Sequence, residues 1–217
     1  MIEIKTITID NSKYPKLLRQ IYDPPQKLYV KGNVDALNGI NLAIVGCRDA
    51  SLYGINCSKY FAYNLAREGI NIVSGLAKGI DSFAHIGTLE AKGKTIAVMG
   101  CGLDIIYPKE NSVLEEQILK NDGTIISEYP LGTMPQRNHF PERNRIISGI
   151  SKGIIVVEAK EKSGSLITAN FAIDQGREVF AVPGNINSVN SIGTNLLIKD
   201  GAIPVCKYHD VLHFLID

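Results

Sequence analysis

Residues 41–54 read "NLAIVGCRDASLYG". Leu42–Val45 is an apolar run without alternation, closed by Gly46, and a single arginine, Arg48, stands in the loop before Gly54. An unbroken apolar run of this kind marks a strand covered on both faces, as in a parallel sheet. The pattern recurs in "INIVSG" (70–75), "KTIAVMG" (94–100), "GTIISE" (123–128), "GIIVVEA" (153–159) and "EVFAVPG" (178–184), with "AIPV" (202–205) as a short seventh candidate. Helical stretches separate the runs. Residues 55–68 place Cys57, Phe61 and Leu65 on one stripe and stop at Gly69. Ser112 and Glu115 have the spacing of a capping box, and the helix they would open ends in the turn "NDG" at 121–123. A further helix is expected over about 165–176. This alternation implies an α/β fold, a doubly wound, mostly parallel sheet with right-handed crossovers.

Residues 1–39 carry a different pattern, with a short helix, a break at Pro24-Pro25 and a short strand. They are expected to pack on the core as an extension, leaving residues 40–217 as the single domain. The 217 residues carry a formal net charge of +1, so whole-molecule attraction to a polyanion is not indicated, and anion binding must come from local clustering. Cys47, Cys57, Cys101 and Cys206 are scattered without a C-x-x-C pair, which argues against a zinc site and a disulfide framework and for the free thiols of a cytoplasmic protein. No apolar run is long enough to cross a bilayer, and the N-terminus shows no secretory signal, so no membrane association is expected.

In an open α/β sheet, ligands bind beyond the carboxyl ends of the strands. The loops predicted there share a composition. "VGCRDASLYG" (45–54) offers Arg48 ahead of a helix, but it is not G-x-G-x-x-G, and "MGCGLD" (99–104) lacks the third glycine, so no dinucleotide cofactor is expected. "SGLAKGIDSFAH" (74–85) puts Lys78 just before a helix that Asp81 or Ser82 can cap; Asp81 and His85, four apart, can also pair. "QRNHFPERNR" (136–145) holds Arg137, Asn138, His139, Phe140, Arg143, Asn144 and Arg145. Pro141 should hold Phe140 extended, and a helix starting near Glu142 would carry its arginines at the positive end of the dipole, an unfavourable place without a bound anion. "KEKSGSLITAN" (160–170) joins Lys160 and Lys162 to the hydroxyls and free N–H groups of Ser163, Gly164 and Ser165 at a helix start, a phosphate cradle. Four such loops on one sheet edge describe a shallow track for an anionic ligand. Its cations suit phosphates, and Phe140, with His139, offers a ring face for bases.

The same loops, with "MGCGLDIIYPKEN", "SEYPLGTMPQRNHFPERNRIISGIS", "EAKEKSGSLITANFAIDQGREVFAVPGNI" and "GTNLLIKDGAIPV", collinear over about residues 40–206, resemble the DNA processing protein A family, DprA, also called Smf. The resemblance implies an extended Rossmann-like domain that binds single-stranded DNA, protects DNA taken up in natural transformation, helps load the recombinase RecA, forms a homodimer and has no established catalytic activity. By motif position it places Arg48, Lys78, Arg137, Phe140, Arg143, Asn144, Arg145 and Lys162 in the DNA site, and residues 193–215 at or near the dimer contact. Many members add an N-terminal helical domain and a C-terminal winged-helix-like domain. Here about 39 residues precede the fold and the chain ends directly after it, so the chain reads as a minimal or trimmed member. The rival class is an enzyme, a phosphoribohydrolase of the lysine decarboxylase-like group. That group carries P-G-G-x-G-T-x-x-E, with the glutamate acting in chemistry. Here the helix start reads "SGSLITAN", and no glutamate follows Thr168.

Overall fold

The structure, a computed structural model, describes residues 3–216. Strands β1 (Ile4–Thr8), β2 (Lys27–Gly32), β3 (Asn41–Val45), β4 (Asn71–Ser74), β5 (Thr95–Met99), β6 (Thr124–Ser127), β7 (Gly153–Val156), β8 (Glu178–Ala181) and β9 (Ile203–Pro204) form one nine-stranded sheet in the order β1-β2-β6-β5-β4-β3-β7-β8-β9. From β6 to β9 all neighbours pair in parallel. The strands after β3 step outward one way as β4, β5 and β6, then resume on its other side as β7, β8 and β9. The winding therefore reverses between β3 and β7, and a crevice opens above their carboxyl ends. All seven strand candidates from residue 41 onward are present.

Helices α1 (Lys16–Arg19), α2 (Leu52–Arg67), α3 (Ile80–Glu90), α4 (Ser112–Lys120), α5 (His139–Gly149), α6 (Gly164–Asp174), α7 (Ile192–Lys199) and α8 (His209–Ile216) cover the sheet. The unbroken apolar strands serve both faces. Ala43, Val45, Val98 and Val156 pack with Ile146, Ile147 and Ala169 of α5 and α6. Leu42, Ile44 and Ile155 pack on the other side with Phe61 and Leu65 of α2, Ala84 of α3 and Val211 of α8. At roughly 1.5–3 kcal/mol for each large aliphatic side chain buried, these layers hold the strand ends in place.

Residues before 40 join the same sheet. Strand β2 runs antiparallel to β6, with Tyr29 opposite Ser127, and β1 pairs antiparallel with β2. The fully buried Tyr14 donates to the Pro25 carbonyl at 2.7 Å, and Leu18 packs with Ile146 and Ile150.

Three local expectations change. Helix α2 begins at Leu52 rather than 55, because the Ser51 hydroxyl accepts from the Gly54 N–H at 3.1 Å. The capping box at Ser112 does not form: Ser112 already lies inside α4, and the Glu115 carboxylate pairs with Lys31 of β2 at 3.0 Å. Helix α5 begins at His139 rather than near Glu142, so Phe140 is helical and not extended. Pro141 sits in its first turn, where a missing N–H leaves no intrahelical bond unmade.

Candidate nucleic-acid interface

A cleft of about 640 Å³ lies at the switch point, and loops from both halves of the sheet line it. The β3–α2 loop brings Arg48 and Asp49. The segment leading into α5 brings Arg137, and α5 itself brings Phe140, Arg143 and Asn144. The β7–α6 loop brings Lys160, Lys162 and Ser163, followed by Gly164 and Ser165 at the start of α6. A narrower cavity of about 70 Å³ continues beside Phe140, between Lys78, Met99, Tyr107 and Pro108.

Close backbone packing fixes the loops. Gly79 has φ +75°, and a Cβ there would meet the carbonyl oxygens of Cys47 and Arg48 at 2.4 Å, so the β4–α3 loop presses directly on the β3–α2 loop. The buried Glu158, just past β7, accepts from the backbone N–H of Ser51 at 2.9 Å and from its hydroxyl at 2.5 Å, clamping the β3–α2 loop from beneath. Asn190 donates to the Asp49 carbonyl at 3.0 Å.

The exposed Arg48 lies with its guanidinium carbon 5.6 Å from the Phe140 ring centroid. Tyr107, 37% exposed, stands 5.4 Å from the same ring at an interplanar angle of 32°. A cation and two aromatic faces thus share the mouth of the side cavity. At the start of α6 the Ser163 hydroxyl accepts from the Ser165 N–H at 3.4 Å, and a Cβ on Gly164 would meet no atom within 4 Å, so the backbone there is open to a ligand.

The ten-residue stretch 136–145 divides its residues among different tasks. Arg137 and Asn144 line the cleft. Arg143 lies beneath its surface, 4% exposed, and donates to the carbonyls of Gly75 and Val98. Burial pulls its guanidinium down to about 10, with the Asp81 carboxylate opposing the shift. A Cβ on Gly75 would meet Arg143 Nη1 at 2.6 Å, and its Nη2 and Asp81 Oδ2 at 2.7 Å, so glycine leaves the space in which this buried charge is held. Arg145 turns away: its guanidinium forms a forked ion pair with Glu128 at 2.6 and 2.7 Å and reaches Asp23 at 3.3 Å. His139 is buried against the Tyr129 ring at 4.1 Å, with Nδ1 3.2 Å from the Gly100 carbonyl, and offers no free face. Asn138 donates to Glu142 at 3.0 Å and does not line the cleft. Arg145, His139 and Asn138 therefore lie outside the cleft lining expected of them, whereas Arg143 lines it with its guanidinium held by backbone carbonyls.

Asp81 and His85, which their spacing would allow to pair, take separate partners. Asp81 accepts from the N–H groups of Gly75 and Ala77, tying the β4–α3 loop rather than capping α3, and burial raises its carboxyl pKa. Ser82 donates to the Ala77 carbonyl. His85 is fully buried, with Nδ1 2.7 Å from the Thr95 hydroxyl, and desolvation pushes its imidazole down to about 3. The thiols of Cys47 and Cys101 are driven up by burial to about 12 and about 11, so neither is a thiolate at neutral pH. The sequence reading left out Tyr107 and gave Lys160 only a flanking place; the one available signal for Tyr107 was an aromatic residue in the loop after β5.

The fold is thus a Rossmann-like α/β sheet whose switch-point cleft carries cations at its rim and aromatic rings at the mouth of its side cavity. The chain belongs to the DNA recombination-mediator protein A family, whose model matches residues 5–216. It is 46% identical over 209 residues to Protein Smf of Escherichia coli, covering 96% of this chain and 56% of that protein, so it spans little more than half that relative's length. The X-ray structure of DNA processing protein A from Streptococcus pneumoniae superposes with a TM-score of 0.93 at 46% identity, over 97% of this chain and 74% of that one. DNA processing protein A from Helicobacter pylori, a structure described for its single-stranded DNA binding mode, superposes with a TM-score of 0.87 at 33% identity, over 100% of this chain and 98% of that one. Among the described residues no helix is long and apolar enough to cross a membrane.

Proposed function

We propose that the switch-point cleft binds single-stranded DNA without sequence preference, with residues 40–217 as the binding unit and residues 1–39 packed on its edge. The observation that carries this reading is the juxtaposition of the Phe140 ring, the Arg48 guanidinium 5.6 Å above it and the Tyr107 ring 5.4 Å beside it, at the mouth of a cleft bearing Arg137, Lys160 and Lys162. Stacking accepts any base because every base has a π-face, and the cations neutralise phosphates whatever the sequence. The likeness to the Helicobacter pylori protein supports the same ligand.

In this reading Arg48, Arg137, Lys160 and Lys162 meet phosphates, and Lys78 does so at the side cavity. Ser163, Gly164 and Ser165 offer hydroxyl and backbone donors, Asn144 contributes a side-chain amide, and Phe140 with Tyr107 holds a base. No step of catalysis is invoked. We further propose a cytoplasmic role in protecting incoming DNA during natural transformation and in handing it to RecA, with the chain acting as a homodimer; the family's description as a DNA recombination mediator supports a role in recombination. Gel filtration with light scattering, with and without an oligo-dT of several tens of nucleotides, tests both the ligand and the dimer: a dimer that gains the mass of the oligonucleotide is expected, and a monomer that ignores it would overturn both.

A further inference from the structure

The cleft cations fall into two groups. Arg48, Arg137 and Lys162 have no carboxylate partner among the described residues. Lys78 and Lys160 are already paired. The Lys78 ammonium is 2.5 Å from Glu110, and that of Lys160 is 3.6 Å from Asp49. Each carboxylate is held beside its lysine by an asparagine clasp. Asn111 donates to the Leu76 carbonyl at 2.7 Å and to the Ser82 hydroxyl at 2.9 Å, which pins the turn carrying Glu110 against the loop carrying Lys78. Asn190 donates to the Asp49 carbonyl at 3.0 Å, and Glu158 anchors the same loop two residues on. Both acids remain well exposed, with side chains 61% and 87% accessible, so neither pair is needed to satisfy a buried charge.

We propose that Glu110 and Asp49 are built-in competitors for DNA phosphate: they occupy Lys78 and Lys160 in the free protein and must be displaced by the strand. The inference rests on the proposed DNA-binding reading and sets its specificity. An isolated phosphate or a mononucleotide gains little by exchanging with a carboxylate already in contact. A polynucleotide, anchored first on Arg48, Arg137 and Lys162, brings its later phosphates to the two lysines at high effective concentration and wins the exchange. The pairs therefore favour long strands over short anions.

The test is fluorescence anisotropy with labelled oligo-dT on the full chain, comparing wild type, Glu110→Gln and Asp49→Asn, each also in a background lacking the paired lysine (Lys78→Met or Lys160→Met). Exposed pairs are weak and screened, so each carboxylate substitution should tighten binding by only about two- to five-fold at low salt. The gain should shrink as salt rises. In the lysine-less background the same substitution should give a smaller gain, because the competitor has nothing left to occupy. A gain equal or larger there would mean that the acid merely repels DNA and would overturn the inference, as would no gain in the lysine-containing chain. A wild-type chain that fails to bind oligo-dT removes the underlying reading and the inference with it; a wild-type chain that binds, with Glu110→Gln and Asp49→Asn unchanged, removes the inference alone.

Discussion

The guanidinium of Arg48 and the ring of Phe140 face each other across 5.6 Å, although 92 positions separate them in the chain. They meet because β3 and α5 deliver them from opposite sides of the switch point. One side chain is suited to a phosphate and the other to a base, so one nucleotide can engage both. Replacing Arg48 with Ala should weaken oligo-dT binding and reduce the magnitude of the salt slope by about one ion, and Lys162→Ala should do the same. Titrations at several salt concentrations measure both numbers.

Phe140→Ala should weaken binding by about 5- to 150-fold, the range expected for loss of one stacked base, while leaving the salt slope unchanged. Phe140→Tyr keeps the π-face and should bind nearly as well as wild type. Comparing the two variants at fixed salt separates stacking from any general disturbance of α5.

Arg143 and Arg145 are expected to act on stability rather than on DNA. Arg143→Met leaves the carbonyls of Gly75 and Val98 without this donor in a buried place and should cost about 3 kcal/mol. Arg145→Ala breaks the forked pair with Glu128 and should lower the melting temperature with oligo-dT affinity unchanged. Thermal melts paired with binding titrations check both, and a flattened salt slope for Arg145→Ala would count against its placement outside the cleft.

His85 gives a pH signature. Its folded pKa of about 3 lies below the ordinary value of 6.5, so the unfolded chain takes up the proton more readily. Stability should be unaffected by this group above pH 6.5 and should fall as pH drops from about 6.5 towards 3, by at most about 1.4 kcal/mol per pH unit. Asp81, whose folded carboxyl pKa is raised by burial, works in the opposite sense above its ordinary value. Melting curves of wild type and His85→Gln between pH 5 and 8 isolate the histidine: the variant should lose the downward slope below pH 6.5.

Much of this architecture was legible in the sequence, for physical reasons. Strands covered on both faces need unbroken apolar runs, and such runs are conspicuous; the switch-point rule then points to the loops after them. Arg48, Lys162 and the Ser163–Ser165 segment could be placed because they stand within about three residues of a strand end or a helix start. The three arginines of residues 137–145 could not be sorted. Positions 143 and 145 are about 200° apart around a helix with 3.6 residues per turn, so one faces the strand ends and the other faces Glu128. Which is which depends on where α5 starts, and a start at 139 instead of 142 rotates the whole set. Tyr107 was out of reach for another reason: the loop from Gly100 to Pro108 has no periodicity from which a side-chain direction follows.

Binding of single-stranded DNA at the Arg48–Phe140 cleft, regardless of its sequence, can be tested in one experiment. Its most direct test is competition anisotropy, in which wild type and the double variant Arg48→Ala/Phe140→Ala are titrated with labelled oligo-dT and challenged with unlabelled oligo-dT, oligo-dA and a mixed-sequence strand of equal length. All three strands should compete similarly on wild type, and a double variant that melts like wild type should lose nearly all binding. A folded double variant that retains wild-type affinity would contradict binding at this cleft.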